Sequence, residues 1–188
     1  MKNYDITVFG NGLISKLIVV ALSNLSFKIC RVLAKPPHNI HNQIYSIRED
    51  SFSFLNELNL LKSNLFYDIE KMSLFFGEAK ELTLENHIDC KKILRVIDKD
   101  TLDKSLDIII EKKEIDTYHF DDFDITSNNI LKLYNDNKHI YIYSKLCLVS
   151  DGKKSIVRKK LFGKNQEIKF NQKAITATFY AKNVKMSS

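Results

Sequence analysis

The chain has 188 residues, 44% hydrophobic and 28% charged, a globular balance that supplies one domain with a core and excludes a disordered or low-complexity polypeptide. No apolar run approaches the roughly 20 residues that span a bilayer, and the N-terminus lacks the basic region, apolar run and cleavage site of a secretory signal, so a cytoplasmic protein is expected. The net charge of +6 comes from 29 basic and 23 acidic residues; apart from Lys153, Lys154, Arg158, Lys159 and Lys160 the basic residues are scattered, a solvated-surface pattern that argues against a nucleic-acid partner.

The first stretch, Ile6-Thr7-Val8-Phe9-Gly10-Asn11-Gly12-Leu13-Ile14-Ser15, runs from a β-prone apolar segment into two glycines one residue apart. Leu17, Val20, Ala21 and Leu25 then continue at helical spacing. Strand, glycine turn and helix are the layout of a dinucleotide-binding βα unit. Gly10 can take the tight turn, Gly12 leaves room for a pyrophosphate against the backbone, and the N–H groups of the new helix face that anion. The third glycine of the fingerprint is Ser15.

Lys28 to Leu33 reads as a second buried strand, parallel to the first through a right-handed crossover. Its end carries Leu33, Ala34 and Lys35 where a ribose-binding acid normally stands. Pro36 and Pro37 then impose an extended loop through Asn42. The spacing of Phe52, Leu55, Leu58 and Leu61 predicts a helix within Ser46 to Lys62, and Met72 to Phe76 with Glu81 to Leu84 predicts a hairpin around Gly77. Leu102, Leu106 and Ile109 predict a helix over Asp98 to Ile110. Strands follow at Ile115 to Phe123, Ile130 to Tyr134 and Ile140 to Tyr143, with a turn at Asn135-Asp136-Asn137, giving a meander between parallel elements.

Lys145 to Val149 is a further strand. It enters Ser150-Asp151-Gly152-Lys153-Lys154-Ser155-Ile156-Val157-Arg158, a turn and then a helix that Gly163 can end. Ala174 to Ala181 is a last strand-like run. The three cysteines, Cys30, Cys90 and Cys147, have no metal or disulfide spacing and read as reduced, small apolar strand residues. The five histidines, His38, His41, His87, His119 and His139, have no ligand spacing and suit loops or surface. Asp121, Asp122 and Asp124 alternate with Phe120 and Phe123, which suits a solvated strand or turn. No residue is identified as catalytic. The fold class is α/β, with a Rossmann-like βαβ unit and an antiparallel β insertion.

The two glycine turns together resemble the FAD-dependent aromatic hydroxylases, most of all the branch acting in ubiquinone biosynthesis. In that family the later motif runs roughly Gly-Ala-Asp-Gly-x-x-Ser-x-Val-Arg, and here Asp151, Gly152, Ser155, Val157 and Arg158 match it. Ile44 to Leu60 is similar to a family helix segment, and Phe170 to Ala177 to a family strand ending Gln-x-Ala-Ile-Val-Ala. The resemblance implies a single FAD-binding domain over residues 1–188, including part of a substrate-facing sheet at about 68–95 and 170–182. It implies FAD as cofactor, NAD(P)H as electron donor and a polyprenyl-phenol substrate, with no transmembrane segment but a peripheral place on the inner membrane face. By position, Gly10, Asn11, Gly12 and Ser15 would cradle the pyrophosphate, while Asp151, Gly152, Ser155 and Arg158 would serve the second cofactor motif.

The departures are Ser15, the missing ribose acid, Gln43 in place of a cofactor-contacting arginine, and Asn59 in place of a helix-ending glycine. The family's later Gly-Asp motif has no counterpart in the 188 residues. Two functions therefore stand: a monooxygenase present as an N-terminal fragment or split subunit, completed by a second polypeptide, or a catalytically inactive homologue kept as a binding or assembly module or as a remnant.

Overall fold

The computed structural model describes residues 1–34, 44–57, 66–69, 71–76, 80–85, 94–126, 129–136, 138–152 and 155–163. The first βαβ unit is β1 (Lys2–Phe9), α1 (Leu13–Ser23) and β2 (Ile29–Ala34), with β1 and β2 parallel and Phe9 opposite Val32. An antiparallel insertion follows. In it β3 (Ile44–Arg48) and β4 (Tyr67–Ile69) flank β7 (Leu94–Asp98), and β5 (Lys71–Phe76) pairs with β6 (Lys80–Glu85) as a hairpin. Helix α2 (Glu49–Glu57) sits within this insertion, and α3 (Lys99–Lys112) returns the chain to the main sheet.

The main sheet contains β8 (Asp116–Phe120), β9 (Asp122–Ile125), β10 (Ile130–Asn135) and β11 (Lys138–Val149) in the order β8-β2-β1-β11-β10-β9. Its middle is parallel: β11 runs alongside β1 from Ile142 opposite Lys2 to Val149 opposite Phe9. β9, β10 and the first half of β11 form an antiparallel meander. β8 and β9 lie at opposite ends of this order, yet only Asp121 separates them. The sheet must therefore roll until its two edges meet, and Asp121 N donates to Tyr134 O at 2.8 Å across the join. Helix α4 (Ile156–Phe162) follows β11.

The roll divides the core into two. Its interior is aromatic: Phe9, Phe120 and Phe123 meet at tilted and edge-on angles with centroids 5.4–6.3 Å apart, the preferred geometry for ring quadrupoles. The outer face packs Ile6 and Val8 against Val19 and Val20 of α1 and against Leu102, Leu106 and Ile110 of α3. Tyr4 OH donates to Asp116 Oδ2 at 2.5 Å and lies 2.6 Å from Tyr118 OH, which binds β1 to the edge strand β8 at the far end of the sheet.

The α/β class, the first βαβ unit, the hairpin and the helix after Asp98 are as the sequence predicts. Several boundaries differ. The helix expected from Ser46 is a strand through Arg48, because Ile44 to Arg48 pairs with β7, itself not foreseen. The helix starts only at Glu49, where Glu49 and Asp50 suit its first turn. The strand expected over Ile115 to Phe123 is two, since β8 belongs to the parallel edge and β9 to the meander. The strands expected separately at Ile140 to Tyr143 and Lys145 to Val149 are one 12-residue strand, β11, because β10 and β1 hold its two halves in succession.

Cys30 is buried in β2, where burial pushes its thiol up to about 12, whereas Cys147 is exposed on β11 rather than buried. The loop from Pro36, Gln43, Asn59, Cys90, His38, His41, His87 and the strand expected at 170–182 lie outside the described residues. Among the described residues, no helix is long and apolar enough to cross a membrane, and no group of three or more His, Cys, Asp or Glu is placed to hold a metal.

Candidate functional site

The two glycine turns meet at the carboxyl ends of adjacent parallel strands. Gly10 N donates back to Val32 O at 3.1 Å as the chain leaves β1. As it leaves β11, Ser150 donates to Phe9 O from its backbone N at 2.9 Å and from Oγ at 3.2 Å. Gly10 is thereby pressed against Ser150-Asp151. A Cβ on Gly10 would stand 2.5 Å from Ser150 O, and Gly10 has φ +124°, so glycine is required twice over. Gly12 differs: its φ is −79°, and a Cβ there would meet nothing within 4 Å. Its lack of a side chain keeps open space above the start of α1.

That helix start is bare. Gly12 is the N-cap, no side chain caps the first turn, and no acidic residue stands in it. Its orphan N–H groups carry the positive end of the helix dipole, the usual setting for an anion. Ser15, in the third-glycine position, is fully buried, and its Oγ donates to Gly12 O at 2.8 Å. The hydroxyl is accommodated by folding back onto the turn that precedes it.

The second motif is a double cap. Asp151 Oδ2 accepts from Ile156 N at 2.8 Å and Val157 N at 3.3 Å, while Ser155 Oγ accepts from Arg158 N at 3.0 Å. Gly152, at φ +86°, makes the turn between them, and Gly163 at φ +76° ends α4. The carboxylate and hydroxyl thus start the helix whose backbone carries Arg158, which is half-buried. Ser155→Ala is expected to cost about 1 kcal/mol, the usual worth of an N-cap, read as a lower urea midpoint at unchanged slope.

Lys160 of the basic cluster is held by β9: its Nζ lies 2.8 Å from Asp122 Oδ1 and 3.1 Å from Asp124 Oδ1. These ion pairs hold both carboxyls below the usual carboxylate range; for Asp122 the Lys160 hydrogen bond is the largest cause, for Asp124 the Tyr134 hydroxyl comes first. Asp122 and Asp124 thus pair with Lys160 of the cluster, and that positive charge is neutralised within the fold.

The structure brings Gly10, Asn11, Gly12, Ser15, Asp151, Gly152 and Ser155 together, with Arg158 in the first turn of α4. It also shows a network that the sequence reading missed. Arg31 of β2 has a side chain only 6% exposed. Its Nη2 donates to Asn11 Oδ1 at 3.2 Å, and its Nη1 is 4.0 Å from Asp107 Oδ1. Lys16 Nζ, equally buried, lies 2.7 Å from Asp107 and 3.7 Å from Asp103, and Lys99 pairs with Asp103. The available signal was a charge inside Ile-Cys-Arg-Val-Leu, an otherwise apolar strand. Beside the network a groove of about 430 Å³ runs between α3 and β8, with Asn11, Arg31, Leu33 and His119 among its lining.

No family model matches the sequence, and no curated protein matches it. Solved structures do match the fold. PqsL from Pseudomonas aeruginosa, determined with 2-aminobenzoylacetate, superposes with a TM-score of 0.72 over 93% of this chain and 48% of its own, at 11% identity. The p-nitrophenol 4-monooxygenase PnpA from Pseudomonas putida gives 0.69 over 86% and 44%, also at 11% identity. The chain shares its fold with these proteins, of which PqsL is described as a probable FAD-dependent monooxygenase. A geranylgeranyl bacteriochlorophyll reductase-like protein from Thermoplasma acidophilum gives 0.63 at 16% identity, over 81% of this chain and 40% of its own. The chain therefore spans less than half the length of these solved structures.

Proposed function

We propose that this chain forms the pyrophosphate-binding part of an FAD site in a flavin-dependent monooxygenase. The observation that carries the reading is the convergence of an uncapped helix N-terminus at Gly12 with the Asp151–Gly152 turn, at the carboxyl ends of β1 and β11. In open parallel sheets this is where nucleotides bind. The residues present fit the phosphate part of the group: the space over Gly12 is one that a Cβ would enter, and the helix start lacks any internal acid.

In this reading the N–H groups of the first turn of α1 bind the pyrophosphate. Gly10 sets the turn, Asn11 lines it, and Ser15 holds its inner carbonyl. Asp151, Gly152 and Ser155 shape the second wall and place Arg158. Bound FAD supplies the redox chemistry that adds one oxygen atom of O2 to an aromatic ring, with NAD(P)H as electron donor. The finer proposal is a polyprenyl-phenol substrate of ubiquinone biosynthesis, met at the inner membrane face, with a second polypeptide supplying the rest of the fold. A second reading, a binding or assembly module without catalysis, is favoured by one observation: the described end of β2 is Leu33-Ala34, apolar where a ribose-binding acid normally stands.

Titration of the purified chain with FAD tests the proposal. Shifted flavin absorption bands that saturate at about 10 µM, a free energy near −7 kcal/mol, are expected. Protein that shifts no flavin absorption band and leaves flavin fluorescence unquenched in a large FAD excess would overturn it in favour of the second reading.

A further inference from the structure

Arg31 is a charge placed where it costs stability. It stands in β2 between Cys30 and Val32, which are fully buried, opposite Val8 on one side and Thr117 on the other. Its Nε is sealed from solvent and meets no acceptor among the described residues. Burial lowers the pKa of the guanidinium, and Asp107 offsets only part of that effect. An under-paired buried charge is expensive, and an apolar replacement of similar volume is often neutral or stabilising.

The bonded network around it is unbalanced. Among the described residues, the ion pairs of Arg31, Lys16 and Lys99 are all with Asp103 and Asp107: Lys16 and Lys99 share Asp103, and Lys16 takes the short contact to Asp107. Three cations against two carboxylates leave one positive charge. It falls at the Arg31 end, where the partner is the neutral amide of Asn11 in the glycine turn. Glu111 in the last turn of α3 and Glu114 just beyond that helix line the adjoining groove, but neither forms an ion pair with Arg31.

We propose that Arg31 is a specificity-determining residue: its surplus charge is balanced by the diphosphate of a nucleotide seated on Gly10–Gly12, which favours diphosphates over monophosphates at the expense of the unliganded fold. This rests on the reading that the glycine turn holds a dinucleotide. Arg31 acts there directly, through its charge, and through Asn11, whose side chain it orients. Retaining a locally destabilising group is characteristic of residues selected for binding rather than for stability.

The test compares the wild-type chain with Arg31→Met and Arg31→Lys, using inorganic pyrophosphate, ADP, AMP and FAD as probes. Calorimetry reads affinity, and thermal unfolding reads the unliganded fold. Arg31→Met is expected to melt at or above the wild-type temperature, to lose about tenfold or more in ADP affinity, and to bind ADP no better than AMP. Arg31→Lys should restore much of that preference. A Met variant that melts lower, fails to fold, or binds ADP as tightly as wild type overturns the proposal, since Arg31 would then serve the fold alone. Wild type that binds pyrophosphate and ADP but not FAD, with the Met variant behaving as expected, supports Arg31 while sinking the flavin reading. Wild type that binds FAD unaffected by Arg31→Met does the reverse, and wild type that binds none of the probes overturns both.

Discussion

Gly10→Ala is expected to destabilise the chain by about 3 kcal/mol or more. Two independent costs add. A φ of +124° is strained for any L side chain, at about 1–3 kcal/mol, and the new Cβ would lie 2.5 Å from the Ser150 carbonyl oxygen and 2.8 Å from its carbon. Backbone cannot swing aside like a flexible side chain, so relief requires the end of β11 to withdraw from the end of β1. That withdrawal breaks the two hydrogen bonds from Ser150 to Phe9 O. Against a total stability of about 5–15 kcal/mol, the loss is large. Urea unfolding followed by far-ultraviolet dichroism measures it.

Gly12→Ala provides the contrast. The added methyl meets nothing within 4 Å, and φ is ordinary, so the stability should change by less than about 1 kcal/mol. FAD uptake should nevertheless fall, because the methyl enters the space left for the pyrophosphate. Equal stability losses at the two glycines would show that the turn is wrongly described.

Phe123→Ala is expected to cost about 3–5 kcal/mol, the range for truncating a fully buried aromatic. Phe123 has no exposed surface and closes the interior of the rolled sheet, with ring centroids 5.6 Å from Phe9 and 5.4 Å from Phe120. Its loss opens a cavity and also removes two edge-on or tilted ring contacts, each worth about 0.5–1.5 kcal/mol beyond area burial. The effect should spread to the site. Phe9 is the last residue of β1 before the glycine turn, and Lys160 of α4 lies 4.9 Å above the Phe123 ring. Phe54, in α2 and 59% exposed, is the control, and its truncation should change the stability by no more than about 0.5 kcal/mol. A Phe123 variant as stable as the Phe54 variant would contradict the rolled-sheet core.

The glycine turns were legible because their requirement is local: a β-prone run, a residue free to take positive φ, and a helical pattern repeat within about a dozen positions. The turn at Asp151-Gly152 and the helix after it were legible for the same reason, whereas the capping bonds of Asp151 and Ser155 show only in the structure. The closure of the main sheet was not. Phe120 and Phe123 alternate with charged residues as in any half-buried strand, and nothing local says that one residue, Asp121, carries the chain from one sheet edge to the other. Arg31 was hidden by its neighbours. Its strand reads as buried because four of its residues are apolar, and only the fold shows that the fifth is buried with them, beside a turn 20 residues away.

The pairing of β1 with β11 also sets an order of assembly. Phe9 and Ser150 are 141 positions apart, so the contact that supports Gly10 closes a very long loop. Loop closure on that scale is entropically late, and folds dominated by such contacts are slow. During synthesis, α1 and β2 can dock on β1 as soon as they leave the ribosome, but the far edge of β1 stays without its neighbour until Ile142 to Val149 has been made. The edge left open in that interval is Ile6, Thr7, Val8 and Phe9, an apolar strand ready to pair with any other. The wait is a hazard that chaperones exist to cover. The turn that would hold the nucleotide becomes rigid only when that wait ends, so a chain that stops short of Ser150 can build a helix over a strand but not the support behind its phosphate turn.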